Sequence, residues 1–293
     1  MSGTTKNIRL VAILAVVGLV VFGLLEGAII KGPAHAFLEK PHIALPAEQI
    51  ASLGSFPITN TLLSSWIATV VLIVLFFLAT RRMSLVPRGL QNVVELAVET
   101  LYNFVAGVAG EHYGRRFFPI IATIFLFVLV NAWLGLLPVY QSLGILRNGQ
   151  LEAQLLRPAG TDINMPLALA LISFVYFEAW GLRAHGVGYL GEFARFGGLL
   201  RGRIGMGLIE LFVGVLELFS HFIRAISLTF RLFGNMTVGE ILVLVSAFLA
   251  VFVFPLAFYG LELLVGFIQA LIFAGLTLVF AVLAVTPHEE EGH

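Results

Sequence analysis

The stretch Ser227-Leu-Thr-Phe-Arg231-Leu-Phe-Gly-Asn235-Met-Thr-Val-Gly-Glu240 decides how this chain is read. Long apolar runs flank it on both sides, so Arg231 falls at the depth of a lipid bilayer. A guanidinium keeps its charge at any physiological pH. Carrying one to the centre of a membrane costs at least about 2.5–3.5 kcal/mol on insertion scales. Such a group is tolerated when it pairs with a carboxylate or lines a water-filled path. Asn235, Glu240, Glu262 and Gln269 follow within the same apolar region. Together they read as an ion path.

The rest of the chain supports a membrane setting. Of its 293 residues 59% are hydrophobic and 12% charged, about half the charged fraction of a soluble globular protein. The expected fold is an all-α polytopic membrane protein, a single integral membrane domain over residues 1–293. Net charge is zero, which gives no reason to expect nucleic acid as a partner. There is no cysteine, which excludes disulfides, thiol catalysis and iron–sulfur ligation. No cofactor or metal is expected either. His221 is a conceivable haem ligand, but no second His lies at membrane depth, so a satisfied hydrogen bond is the simpler reading.

Apolar runs at 8–30, 62–80, 117–137 and 166–184 each meet the requirement of about 20 residues for a membrane helix. Two longer runs follow, at 204–254 and 256–285. The first is either two spans broken near Gly234-Asn235 or one steeply inclined helix, giving five to six membrane helices in all. Pro255 is a natural corner between the two runs. At the N-terminus, Lys6 and Arg9 precede an apolar run and Ala34-His-Ala36 resembles a cleavage site. A signal-peptide core spans only about 7–15 residues, so a retained helix is expected.

Arg81, Arg82, Arg88, Arg115 and Arg116 fall between two runs, and Arg183, Arg195, Arg201 and Arg203 fall at or in another loop. The alternate loops hold only Lys31 and Lys40, then Arg147 and Arg157. By the positive-inside rule the Arg-rich loops are cytoplasmic. Within the first of these, residues 88–108 place Arg88, Gln91, Asn92, Glu95 and Glu99 at helical spacing. This predicts an amphipathic helix on the cytoplasmic surface.

Glu210, Glu217, Arg224 and Arg231 are each seven residues apart, so they share one slowly drifting stripe. Asn235 is one turn beyond Arg231, and Glu240 turns to roughly the opposite face. The helix shows a guanidinium to one side and a carboxyl to another, a geometry that suits two polar paths meeting near Arg231. A hairpin of the last two runs would bring Glu240 and Glu262 together as a coupled pair of proton-holding groups. Glu178 is expected to be a packing partner, and Glu210 and Glu217 to be solvated near the cytoplasmic interface.

Ser227–Glu240 resembles subunit a of rotary F-type ATP synthases, whose pattern it matches throughout. Pro87–Glu95, Asn131–Pro138, Asp162-Ile-Asn164 and Gln269–Phe273 match the same family. The resemblance covers about residues 57–293 as a core, with 8–30 as an extra N-terminal helix. It implies a strongly inclined hairpin of the last two helices, cupping a rotating ring of c subunits. It also implies a non-catalytic, proton-translocating stator subunit in the bacterial plasma (inner) membrane. Its partners would be the c ring, the peripheral-stalk b subunits, the other ATP synthase subunits and the lipid bilayer. By the same resemblance Arg231 is the stator arginine facing the ring carboxylates. Asn235 and Gln269 lie along the proton path, and Glu240 and Glu262 belong to the outer half-channel. Two other classes make different demands on the sequence. An ion-coupled secondary transporter predicts two related halves, and no repeat is visible. A membrane subunit of a redox complex predicts paired intramembrane His, which is lacking at membrane depth.

Overall fold

In a medium without water, backbone groups must bond within their own segment, so apolar runs become helices. The computed structural model describes residues 46–54, 56–137, 140, 143–147, 150–186, 188–189, 204–249 and 253–286. Among them are five helices long and apolar enough to cross a membrane. These are α1 (Asn60–Thr80), α2 (Leu90–Gly135), α3 (Asn164–His185), α4 (Ile204–Leu249) and α5 (Val253–Val285). The fold is therefore an all-α polytopic membrane protein. The helix expected at 8–30 lies outside the described residues.

Thr59 opens α1, its hydroxyl accepting the Leu62 backbone N–H at 3.3 Å. Trp66, Val70, Ile73 and Phe77 point outward from α1, as befits a helix surrounded by lipid. Within α2, Gly110 has φ 71° and ψ 164°, a conformation that glycine adopts without a steric penalty. It separates the polar-faced segment 90–109 from the apolar span that follows. Leu101 and Val105 of that first segment are buried against the bundle, so its apolar side packs on protein. The Asp162 carboxylate accepts the Asn164 backbone N–H at 3.2 Å at the start of α3, and Pro166 sits in the first turn.

The long run at 204 is one helix. It continues through Gly234 and Asn235 for 46 residues, about 69 Å at 1.5 Å per residue. That is more than twice the roughly 30 Å hydrocarbon core, so α4 runs obliquely or extends past it. Pro255 is not the corner. It is the third residue of α5, where its missing N–H would be unbonded anyway.

The core forms chiefly between α2 and α5. Gly266, Ala270, Ala274 and Ala281 lie buried along α5, and small residues let helix backbones approach closely where there is no hydrophobic drive to pack. A Cβ added at Gly266 would come within 2.9 Å of the Ala132 side chain. The Trp133 indole donates to the Leu263 carbonyl at 3.1 Å across the same interface.

Two short antiparallel hairpins were not foreseen. Strands β1 (Gln49–Leu53) and β2 (Phe56–Thr59) form one, and β3 (Gly144–Arg147) and β4 (Gln150–Gln154) form the other. They meet at one end of the bundle, where Asn60 Nδ2 donates to the Gln154 carbonyl at 3.2 Å and Gln154 N–H donates to Glu48 at 2.9 Å. Arg81, Arg82, Arg88 and Arg183 stand at the opposite end. If the Arg-rich end is cytoplasmic, a single cysteine at exposed Ser84 is labelled by a membrane-impermeant maleimide only from the cytoplasmic side. One at exposed Ser52 is labelled only from outside. The absence of native cysteine makes the readout clean, and outside labelling at Ser84 reverses the topology.

Candidate proton path

Helix α4 carries most of the polar groups, and its neighbours decide which are covered. Arg231 is exposed, as are Ile226, Phe230 and Val238 around it. Among the described residues it makes no ion pair or hydrogen bond. The guanidinium thus stands on an apolar outward face with its charge unanswered among the described residues.

One turn on, Asn235 donates from its side-chain amide to Gln269 Oε1 at 2.7 Å, joining α4 to α5. Gln269 is 1% exposed, and its Nε2 has no hydrogen-bond partner among the described residues. A buried amide donor without a partner is costly.

Glu240 is gripped by a residue far away in sequence. Arg157, in the segment between β4 and α3, donates through Nε to both carboxylate oxygens at 3.1 and 3.0 Å and through Nη2 at 2.8 Å. Its Nη1 donates to the Pro46 carbonyl at 3.2 Å. The two side chains are only 5% and 9% exposed. The sequence had set Arg157 aside as a loop cation. Nothing in its neighbourhood signals a partner, because the ion pair spans 83 residues.

Glu262 reaches the same place from α5. Its carboxyl fills the space where Gly239 lacks a side chain, so a Cβ at 239 would collide with it. Glu240 and Glu262 line one small cavity together with Tyr140, Pro158 and Met236. Its volume of about 20 Å³ suits roughly a single water molecule. Burial pushes the Tyr140 phenol above its ordinary value, with the nearby Ser64 hydroxyl acting the other way. Tyr140 therefore keeps its O–H at neutral pH, with Ser64 as its hydrogen-bond partner. Glu240 and Glu262 thus share a cavity, but the group that meets the Glu240 carboxyl is Arg157 rather than Glu262.

At the Arg-rich end, His221 Nδ1 lies 2.5 Å from Glu178 Oε1, tying α4 to α3. A cavity of about 140 Å³ opens there, lined by Glu217, His221, Arg224 and Tyr189 among others. The Glu210 side chain lies outside what the structure describes. Among the described residues, five helices long and apolar enough to cross a membrane make this a multi-pass membrane protein.

The ATP synthase A chain family model matches residues 62–282. Subunit a 3 of the ATP synthase of Pelobacter propionicus is 36% identical over 216 residues, covering 74% of this chain and 83% of that protein. ATP synthase subunit a of Gloeobacter violaceus is 37% identical over 232 residues, 79% and 85% of the two chains. That of Geotalea uraniireducens is 34% identical over 259 residues, 88% and 98%. The chain belongs to the ATP synthase subunit a family, and so to the membrane machinery of ATP synthesis and proton transport.

Two substitutions test this geometry. Arg157→Met leaves Glu240 buried without its partner, which costs about 3–5 kcal/mol. It should sharply lower the thermal stability of the purified complex, while Arg157→Met/Glu240→Met recovers most of the loss because no charge is left unpaired. Equal stability of the single variant and the parent would mean that the pair is not buried. Gly239→Ala should displace the Glu262 carboxyl and slow passive proton conduction although no titratable group is altered. Conduction equal to the parent would show that the contact is dispensable.

Proposed function

We propose that this chain, acting as one integral membrane domain over residues 1–293, is the stator side of the proton path through an ATP synthase. It passes protons to and from carboxylates on a rotating c ring. It is held by peripheral-stalk b subunits in a bacterial plasma membrane, in line with its bacterial relatives. The chain performs no nucleotide chemistry of its own.

The observation that carries this reading is Arg231. A fixed cation on an outward apolar face at membrane depth, with no partner among the described residues, is stable only against a partner of opposite charge. Carboxylates passing on another subunit supply that charge. Glu240 and Glu262, with Asn235 and Gln269 inward of them, form the outer half-channel. A proton entering there neutralises a ring carboxylate, and the uncharged acid can then rotate into lipid at far lower cost. The site later reaches the Arg-rich side and releases its proton through an inner half-channel. Arg231 draws the ionised carboxylate back and bars a direct leak between the two. Each charge crossing the membrane contributes about 2.3 kcal/mol per 100 mV.

Arg231→Ala should abolish proton-driven ATP synthesis in vesicles reconstituted with the whole complex, while assembly persists. Arg231→Lys should rescue poorly, because an ammonium lacks the planar fork that meets a carboxylate through two bonds. Near-normal synthesis by the Ala variant would overturn the assignment.

A further inference from the structure

We propose that the Glu178–His221 pair carries the proton through the cytoplasmic half of the path. This deepens the reading above and rests on it. Glu217, His221 and Arg224 stand at i, i+4 and i+7 of α4 and share one face. That face lines the cavity of about 140 Å³, room for several waters, in an otherwise apolar bundle. Arg224 continues toward Arg231, seven residues on along the same stripe. His221 lies ten residues from Arg231, about 15 Å along the helix. Water would have to span that distance to connect the imidazole with the site where a ring carboxyl would be discharged.

Several polar groups surround His221. From α3 it faces Glu178, at 2.5 Å. From α4 itself it faces Glu217 and Arg224, and Tyr189 closes one side of the cavity. Helix α5 contributes only Phe280, Leu283 and Ala284 to the lining among the described residues. The Arg224 guanidinium is drawn to the face of the Phe280 ring, 5.0 Å from its centroid. The His221 and Glu178 side chains are 11% and 21% exposed, covered enough to be oriented and open enough to exchange with water. His221 is the member of the pair that lines the cavity, and Glu178 meets it from α3.

The step balances simply. The ring carboxylic acid gives up its proton and becomes the carboxylate that pairs with Arg231. Through cavity water that proton reaches the imidazole of His221, which becomes imidazolium beside the Glu178 carboxylate. The imidazolium returns to imidazole as the proton leaves to water at the Glu217 end. One proton passes and no other bond changes.

The test uses the whole ATP synthase in proteoliposomes and reads passive proton conduction against pH, with ATP synthesis in parallel. His221→Gln should slow conduction by about a hundredfold, the low end of what a positioned proton-transfer group contributes. Free imidazole supplied on the cytoplasmic side should restore part of it, and imidazole on the outer side should not. Glu178→Gln should slow conduction and Glu178→Asp should largely keep it. The paired Glu178→Met/His221→Met variant leaves neither polar group unpaired, so it should assemble and remain slow. Parental conduction in that variant across the pH range overturns the proposal. So does a slow His221→Gln complex that cytoplasmic imidazole fails to rescue, because a fastening role predicts that outcome. Arg231→Ala in the same preparation separates the two readings. If it abolishes synthesis while the paired variant behaves as the parent, only the relay is lost. If Arg231→Ala synthesises normally, the stator reading itself falls.

Discussion

A helix of 46 residues cannot stand upright within a film about 30 Å thick. The arrangement of the bundle follows from that mismatch. Because α4 is unbroken through Gly234 and Asn235, its polar residues are strung out over many ångströms of depth. Glu240 reaches the end where the two hairpins meet. Glu217 and His221 belong to the Arg-rich end, and Arg231 lies between. A kinked or divided helix would let each half find its own depth. One rigid rod forces every group on it to share one geometry, and α5 must follow that slant closely enough for Gln269 to meet Asn235 and for Glu262 to meet Gly239.

Holding such a rod takes more than apolar contact, since lipid chains pack against Leu as well as protein does. The fastenings are polar and few. Arg157 holds Glu240, Asn235 holds Gln269, His221 holds Glu178, and the Thr277 hydroxyl donates to Ser173 at 3.1 Å. Each joins different elements, and each satisfies groups that hydrocarbon could not. Against this background Arg231 stands apart, because its neighbours on the outward face are Ile226, Phe230 and Val238 rather than an acceptor. Among the described residues, no acceptor meets that guanidinium.

The membrane helices were legible because their signal is local. An apolar run of sufficient length has one outcome in lipid, and 62–80 and 166–184 matched α1 and α3 to within two residues at either end. Arg231, Asn235 and Glu240 stood out for the same reason, as charges and amides where none are expected. What escaped was everything that depends on distant partners. Arg157 read as a loop cation because its carboxylate lies 83 residues away. Gly239 carries no signal in the sequence, because only the packing of α5 places a carboxyl against it. Pro255 read as a corner because proline ends helices more often than it opens them visibly, and here it opens one. The hairpins were missed because strands of four and five residues carry too little alternation to be seen beside long apolar runs.

The contact between Gly239 and Glu262 has a wider meaning for how the two long helices stay in step. Smooth apolar rods can slide past each other with little change in buried area. A side chain seated in a notch on its neighbour makes sliding discontinuous. Moving α5 by one residue along α4 would carry Glu262 about 1.5 Å out of the gap and onto a position that has a side chain. The notch therefore acts as a vernier, setting the axial position of α5 to a fraction of a helical turn. Gln269 lies seven residues, almost two full turns, further along α5. The alignment set at 239 is thus transmitted along a stiff lever to the amide beside Arg231, and a missing methyl group near one face of the membrane calibrates a contact deeper inside it.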